Sequence, residues 1–387
     1  MPLHEDRANM LVEVIEALKT IAQHGHLTDE RSALIDVGTT KYINFFEEEI
    51  LDTFISQGGA TCRFYEGPSG SGKSHLLSLL YHLGIKKGYI IYRTALSDDL
   101  PLDDWQGITK EILANMEMVV GNQHIQSLPN ILKELSKNPQ YQIDKLGKTP
   151  LPHEGIRKAI IFAMKHSQGL DETQWEVLSR NILGEKTTVK DFSGAKFARF
   201  FKGSLTKRNA EVFLKTVLTS LHMIGVPGLL LLFDENNKTL TTSPTRPSNK
   251  FKKAANLIRR LIDGTTNGTL VGTGVVFAVL PGFFKHVNDT YPALGQRLMM
   301  NRNVAEGIGW RSPVLPIQSV NETESPEEFL RGMVELLLRY FQVRESMKEE
   351  LYRLGEEVLE AHAGADYRRA LIKRLATHLI ANIESIR

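Results

Sequence analysis

The chain of 387 residues contains a single cysteine, Cys62. One thiol closes no intrachain disulfide, and it leaves a cysteine-based zinc site without its ligands. Cys62 is expected to be a buried apolar filler. Long apolar runs are missing too. The best, "GLLLLF" and "GVVFAVL", are far shorter than the roughly 20 residues a membrane-spanning helix needs. Charge of one sign is scarce: 47 Lys and Arg face 45 Asp and Glu, for a net charge of +2. Bulk charge therefore makes no case for nucleic acid, and local patches would have to carry one. The first residues, "MPLHEDRANM", lack a basic stretch followed by an apolar one, so no secretory signal is expected. The histidines are scattered without paired ligand spacing, and neither H-E-x-x-H nor G-x-S-x-G occurs. No structural metal is expected. Repeats and low-complexity tails are absent as well. What remains is an ordinary composition, 42% hydrophobic and 24% charged, at a length for two or three domains or one large α/β domain with insertions. A soluble cytoplasmic protein is expected.

Against this plain background one stretch stands out, "EGPSGSGKSHLLSLL", residues 66–80. The preceding "TCRFYE" mixes β-branched and aromatic residues and reads as a short strand. The following leucines, Leu76, Leu77, Leu80 and Leu83, recur at helical spacing. A glycine-rich turn between a strand and a helix is the setting of a phosphate-binding loop. Gly67, Gly70 and Gly72 let the backbone wrap closely around a polyphosphate with its N–H groups inward. The start of the helix adds its positive end. Lys73 is expected to reach the β- and γ-phosphates, and the Ser74 hydroxyl to hold Mg²⁺. The whole loop, Gly67, Pro68, Ser69, Gly70, Ser71, Gly72, Lys73, Ser74 and His75, is the candidate nucleotide contact.

Such a site needs carboxylates at the end of a neighbouring buried strand. "GLLLLFDENNK", 228–238, is continuously apolar, as a central strand covered on both faces should be, and ends in Asp234-Glu235. Asp234 is assigned to Mg²⁺ through water, and Glu235 to polarising the attacking water. Taken alone, the same two acids also read as solvated residues closing a strand. Further strands are expected at 89–96, 274–280 and 313–320. With the loop strand this makes five, separated by helical stretches. The expected fold class is α/β, a parallel sheet of five strands with helices on both faces.

The order of these parts resembles the AAA+ superfamily of P-loop ATPases. "HAGADYRRALIKRLATHL", 362–379, resembles the sensor 2 helix of its origin-recognition-like branch. That resemblance makes Arg368 the sensor 2 arginine, with Arg369 as the neighbouring alternative. "IDVGTTKYINFFEEEIL", 35–51, resembles the segment that borders the adenine, here Val37 and Gly38. A narrower resemblance is to the ATP-binding proteins of bacterial BREX-type phage-defence systems. It rests on "GSGKSHLL", "GLLLLFDE", "AVLPGFF" at 278–284 and "DTYPALGQRLMM" at 289–300. The resemblance implies ATP and Mg²⁺ as cofactors, and partners among the other proteins of a defence or DNA-processing complex. DNA and further copies of the chain are additional candidate partners, and no membrane is expected. Arg297, in "GQRLMM", stands where such ATPases carry an arginine finger, with Arg302 as runner-up; it reads equally as a structural arginine. One departure matters: the aligned sensor 1 position holds Leu280, whose side chain cannot hydrogen-bond water or phosphate. The leading expectation is thus an ATPase that drives or switches a partner or DNA complex. The alternative is a nucleotide-locked assembly module with little turnover.

The expected organisation is a helical segment over 1–34, an ATPase core over 35–322 and a helical lid over 323–387. Within the core, a mostly helical insertion spans about 105–226, too long for a plain crossover and expected to form a subdomain. Ser325 followed by Glu328 is a capping signal for the first lid helix. The lid ends the chain, with no room for the winged helix usual in the origin-recognition branch, so autonomous DNA recognition is not expected. "KFKKAANLIRRLID", 250–263, reads either as an interaction helix facing DNA or a partner, or as a solvated amphipathic helix.

Overall fold

The computed structural model describes residues 2–27, 30–97, 100–121, 123–196, 201–235, 249–303, 309–323, 325–341, 345–362 and 367–382, without the side chains of 2–8, 30, 235 and 299–303. The chain opens with helix α1 (Pro2–His24), followed by a 3₁₀ turn (Glu30–Ile35), α2 (Thr40–Phe45) and a π-helical stretch (Phe46–Ile55). Strand β1 (Ala60–Glu66), α3 (Lys73–Lys86) and β2 (Ile90–Leu96) come next. The insertion holds α4 (Trp105–Asn115), the hairpin β3 (Glu117–Val120) and β4 (Gln123–Gln126), then α5 (Leu128–Leu135), α6 (Asp144–Lys148), α7 (Glu154–His166), α8 (Glu172–Ile182), α9 (Val189–Gly194) and α10 (Ala210–Ile224). The sheet resumes with β5 (Leu229–Glu235), α11 (Asn249–Thr266), β6 (Thr273–Val279), α12 (Phe283–Thr290), α13 (Pro292–Asn303) and β7 (Val314–Pro316). Three helices follow: α14 (Pro326–Tyr340), α15 (Glu345–Ala361) and α16 (Tyr367–Ala381).

The fold is mixed α/β, around a sheet of seven strands in the order β4-β3-β2-β5-β6-β1-β7. The five strands expected from the sequence, β2, β5, β6, β1 and β7, pair in parallel. The count of five is corrected by the hairpin β3–β4, which adds antiparallel to the free edge of β2. Its strands have four residues each and a polar outer strand, "QHIQ", too short and too hydrophilic to announce themselves. The strand expected over 313–320 is also shorter. Pro316 has no N–H to continue a ladder, and Ile317–Val320 coils into a 3₁₀ turn.

Alternation along the parallel strands splits two apolar faces. Phe64, Phe277 and Phe233 stack in a row, with centroids 5.2 and 5.1 Å apart, on the face covered by the insertion and α11. The insertion's helices thus share one core with that face. Tyr65, Ile91, Leu230, Leu232 and Val276 face α2 and α3. Arg63 of β1, only 1% exposed, donates to the carbonyls of Trp310 and Ser312 and to the hydroxyls of Tyr42 and Tyr65, fixing the chain just before β7. A third cluster stands apart from the sheet. Val14, Leu18 and Ile21 of α1 pack with Leu330, Met333, Leu351, Leu371 and Leu375 of α14–α16. Burial of α1's apolar stripe is met by the C-terminal helices. The Ser325 side chain caps α14, accepting from the Glu328 N–H at 3.2 Å.

Candidate functional site

The carboxyl ends of β1, β5 and β6 converge on a cleft of about 1210 Å³ between the sheet and the third cluster. The glycine-rich loop joining β1 to α3 forms its floor. Each glycine there has its own reason. Gly70 and Gly72 take φ of 75° and 97°, the left-handed region that side chains disfavour. At Gly67 the reason is space: a Cβ there would lie 2.4 Å from Cγ2 of Ile317. Lys73 is 7% exposed, and its Nζ donates to the carbonyls of Gly67 and Pro68, at 2.7 Å each. The Ser71 hydroxyl donates to the Pro68 carbonyl at 2.7 Å. The loop therefore organises its own lysine at the mouth of α3.

Asp234 arrives on β5, in register with Ala95 of β2 and Ala278 of β6. Two small neighbours leave the carboxylate room to face the loop. It is 6% exposed and lines the cleft with Lys73 and Ser74. Its Oδ1 is buried without a hydrogen-bond partner among the described residues. A buried acceptor with no donor is costly unless something else satisfies it. Glu235 is the last residue of β5, but its side chain lies outside the described residues.

Two contributors were missed from the sequence. Arg93 is the one charge on the otherwise apolar and neutral β2, "IIYRTAL". Its Nη2 donates to the Ser74 carbonyl and its Nη1 to the Ser78 hydroxyl, both at 3.0 Å, so it grips the first turns of α3 from the side. Burial lowers its pKa, while the charge of nearby Asp234 works in the opposite direction. A lone charge in a buried strand beside the acidic one was the available signal. The second is Asp36. Its Oδ1 is 3.1 Å from Nε2 of His75, and its Oδ2 accepts from the Thr39 hydroxyl at 2.8 Å. This pins the segment carrying Val37 to the start of α3.

The opposite wall is helical. Ile21 and Leu27, from α1 and the turn after it, line the cleft with Val37, Phe329 and Arg368. Gly38 is not at the surface of the cleft; its φ is 81°, and a Cβ there would fall 2.4 Å from Oδ1 of Asn321. The guanidinium of Arg368 lies 4.8 Å from the Phe329 ring centroid, and its Nε donates to the Tyr367 hydroxyl at 3.1 Å. Arg369 lines the cleft too, and donates to the His24 carbonyl at 3.1 Å. Leu280 follows β6 into the cleft. Arg297 is elsewhere. It forms a two-pronged ion pair with Asp263 of α11 and donates to the Ala293 carbonyl. The side chain of Arg302 lies outside the described residues. Past Arg93 the cleft runs on towards the β3–β4 hairpin, where Glu117 and His124 pair at 2.9 Å.

The sequence profile of the BREX system ATP-binding protein BrxC/D matches residues 12–148 and 142–334. Together the two stretches cover most of the chain. The chain belongs to this family. Membership suggests ATP binding in phage defence, within a multi-protein system. No match was found among the curated proteins or among the solved structures. The family match includes the glycine-rich loop, Arg93 and Asp234, and stops before α15 and α16, which carry Arg368. Among the described residues, no helix is long and apolar enough to cross a membrane.

Proposed function

We propose that the chain is a P-loop ATPase of the AAA+ type, binding ATP with Mg²⁺ between the sheet and the helical wall. The observation that carries this reading is Asp234: a buried carboxylate oxygen without a hydrogen-bond partner among the described residues, in the same cleft as a self-organised lysine loop. All-oxygen donors, the Ser74 hydroxyl and Asp234 through water, suit Mg²⁺, which prefers one or two carboxylates and retains waters. When bound, Mg²⁺ would offset charge on the β- and γ-phosphate oxygens. Lys73 releases the loop carbonyls and takes the phosphates. Glu235 orients a water and accepts its proton as the water attacks the γ-phosphorus, and the bond to ADP breaks. Ile21, Leu27 and Val37 supply an apolar wall for the base. Arg368 reaches the γ-phosphate from α16, so that hydrolysis loosens the helical wall.

In this reading residues 35–322 are the ATPase core with its insertion at about 105–226. Residues 323–387 are the lid, and the segment 1–34 moves with it, because α1 shares its apolar core with α14–α16. Arg297 acts on a neighbouring copy only after leaving Asp263. A second reading, a nucleotide-locked module with little turnover, is favoured by Leu280, directly after β6, whose own side chain cannot hold water. Steady-state hydrolysis across protein concentrations, beside equilibrium ATP binding, tests both. Turnover abolished by Lys73→Ala and Glu235→Gln supports the ATPase. Tight binding without turnover at any concentration supports the locked module. No ATP binding by the unaltered chain overturns both.

A further inference from the structure

The residues after the acidic strand are charged in one direction only. From 236 to 262 the sequence contains no Asp or Glu, but it includes Lys238, Arg246, Lys250, Lys252 and Lys253, followed by Arg259 and Arg260. In a chain of net charge +2 this is a local concentration of positive charge. The structure divides it. Arg259 pairs with Asp263, and Arg260 with Glu211, so the distal part of α11 is neutralised. Lys250, Lys252 and Lys253, near the N-terminal end of α11, are exposed and have no ion pair among the described residues. Lysines there oppose the helix dipole, and the first turn has no acid to offset them. Local rules broken without a visible structural gain point to function.

A fourth lysine joins them from another element. Phe251 of α11 packs edge-on against His286 of α12, with centroids 4.7 Å apart. Exposed Lys285 is the residue before His286, so it lies on the helix that packs against the lysine-bearing end of α11. The platform under them is firm: Phe251, Phe283 and Phe284 are buried in the main core. The one acid on α12 is Asp289, one turn beyond Lys285. The chemistry also limits the partner. Neither α11 nor α12 carries an exposed large apolar side chain. An anionic membrane surface is held by charge together with buried apolar groups, and a protein interface has an apolar or aromatic centre. A patch made of lysines alone suits a phosphodiester backbone.

We propose that Lys250, Lys252, Lys253 and Lys285 form a contact surface for the backbone of a nucleic acid. The proposal rests on the ATPase reading for its coupling, because α11 follows the strand that ends in Asp234 and Glu235. The contact itself can be measured without nucleotide, so failure of either reading is recognised separately. The experiment is fluorescence anisotropy of the full chain with a DNA duplex, an RNA duplex and a single strand, each titrated with salt. The test variant replaces the four lysines by alanine. A control variant removes Lys110, Lys165, Lys186 and Lys190, exposed lysines of the insertion, for the same loss of charge. ATP binding by both variants verifies that they fold.

The expected result is binding to at least one probe at about 50 mM salt, weakened at least tenfold in the test variant. Its log–log salt slope should be shallower by about 3 to 4, with the control unchanged. The three probes identify which nucleic acid is the source of the backbone. Absence of binding to all three overturns the proposal. So does equal weakening of the two variants, or binding only to anionic vesicles. With the contact established, a DNA affinity that changes between ATP and no nucleotide, and does not change in Lys73→Ala, confirms the coupling; an unchanged affinity removes the coupling.

Discussion

The two walls of the cleft are assembled by different physics. On the sheet side, the positions of Arg93 and Asp234 follow from ladder pairing: Arg93 lies opposite Leu232, Ala95 opposite Asp234, and Asp234 opposite Ala278. Hydrogen-bonded register leaves such a wall little freedom. On the helical side, Ile21, Val37, Phe329 and Arg368 come from distant parts of the chain and meet only because α1 and α14–α16 share a separate apolar core. A wall with its own core can shift as a unit, whereas one built into a sheet cannot. In the proposed ATPase, the sheet side would hold the phosphates and the helical side would respond to them.

The strongest way to break the contrast is to open the helical core. Leu371 of α16 is fully buried there. Leu371→Ala should cost about 2–5 kcal/mol of stability, the range for a buried leucine. Thermal unfolding read against ATP binding checks it. The helical side should melt first, in a separate transition, while the sheet side persists. A single cooperative transition would mean that the two walls are one unit. Next in size is Lys73→Ala. It removes a charged donor, worth about 1.5–3 kcal/mol, so ATP affinity measured by calorimetry should fall roughly 10- to 100-fold. Loss of its bonds to the Gly67 and Pro68 carbonyls should also lower the melting of the sheet side slightly, and leave that of the helical side unchanged.

The sheet side was largely legible in the sequence, and the reason is chemical. A glycine-rich turn between a strand and a helix shows itself within a few residues, and a buried strand ending in an acid is readable because both its faces must be apolar. Arg93 showed itself only as a lone charge on β2; that it grips Ser74 was not legible, since the two meet only through the register of β2 with β5 and the crossing of α3. Gly67 was read as letting the backbone wrap around a polyphosphate; that a Cβ there would meet Ile317, from a segment far along the chain, was not legible. The helical side was less legible still. Nothing local in α1 says that it will pack on α16, or that Ile21 and Leu27 will border the same cleft as Lys73. The β3–β4 hairpin escaped because short polar strands resemble loops until an edge such as β2 is there to receive them.

Acid pH offers a gentler separation of the walls. His153, His222 and His286 belong to the sheet body, and burial is the leading cause that lowers the pKa of each from 6.5. His153 uses Nδ1 to accept from the Ile156 N–H at 3.2 Å, which requires that nitrogen unprotonated. A lowered folded pKa means the unfolded chain binds protons that the folded one refuses. Their contribution is therefore complete above about pH 6.5 and is lost as pH falls through the window below it. Denaturant midpoints measured from pH 7.5 to 5 should decline for the sheet body. Replacing His153 by Asn should flatten part of that decline, and an unchanged slope would remove this histidine from the account.

The smallest expected effect concerns Arg368, on the helical wall. Arg368 lies over Phe329 and is 3.5 Å from the hydroxyl of Thr323. Cation–π contacts at partly exposed sites are worth about 0.5–1 kcal/mol, so Arg368→Ala should lower stability only by that amount. ATP affinity should fall a few-fold, about what the loss of one weakly screened charge near the phosphates allows. The informative comparison is with ADP. If Arg368 reads the γ-phosphate, the variant should lose affinity for ATP and keep its affinity for ADP, bringing the two ligands together. If both affinities fall equally, the arginine only supports Phe329 and the helical wall. The neighbouring Arg369→Ala then serves as the reference, because its guanidinium is tied to the His24 carbonyl and should leave the ATP-to-ADP ratio untouched.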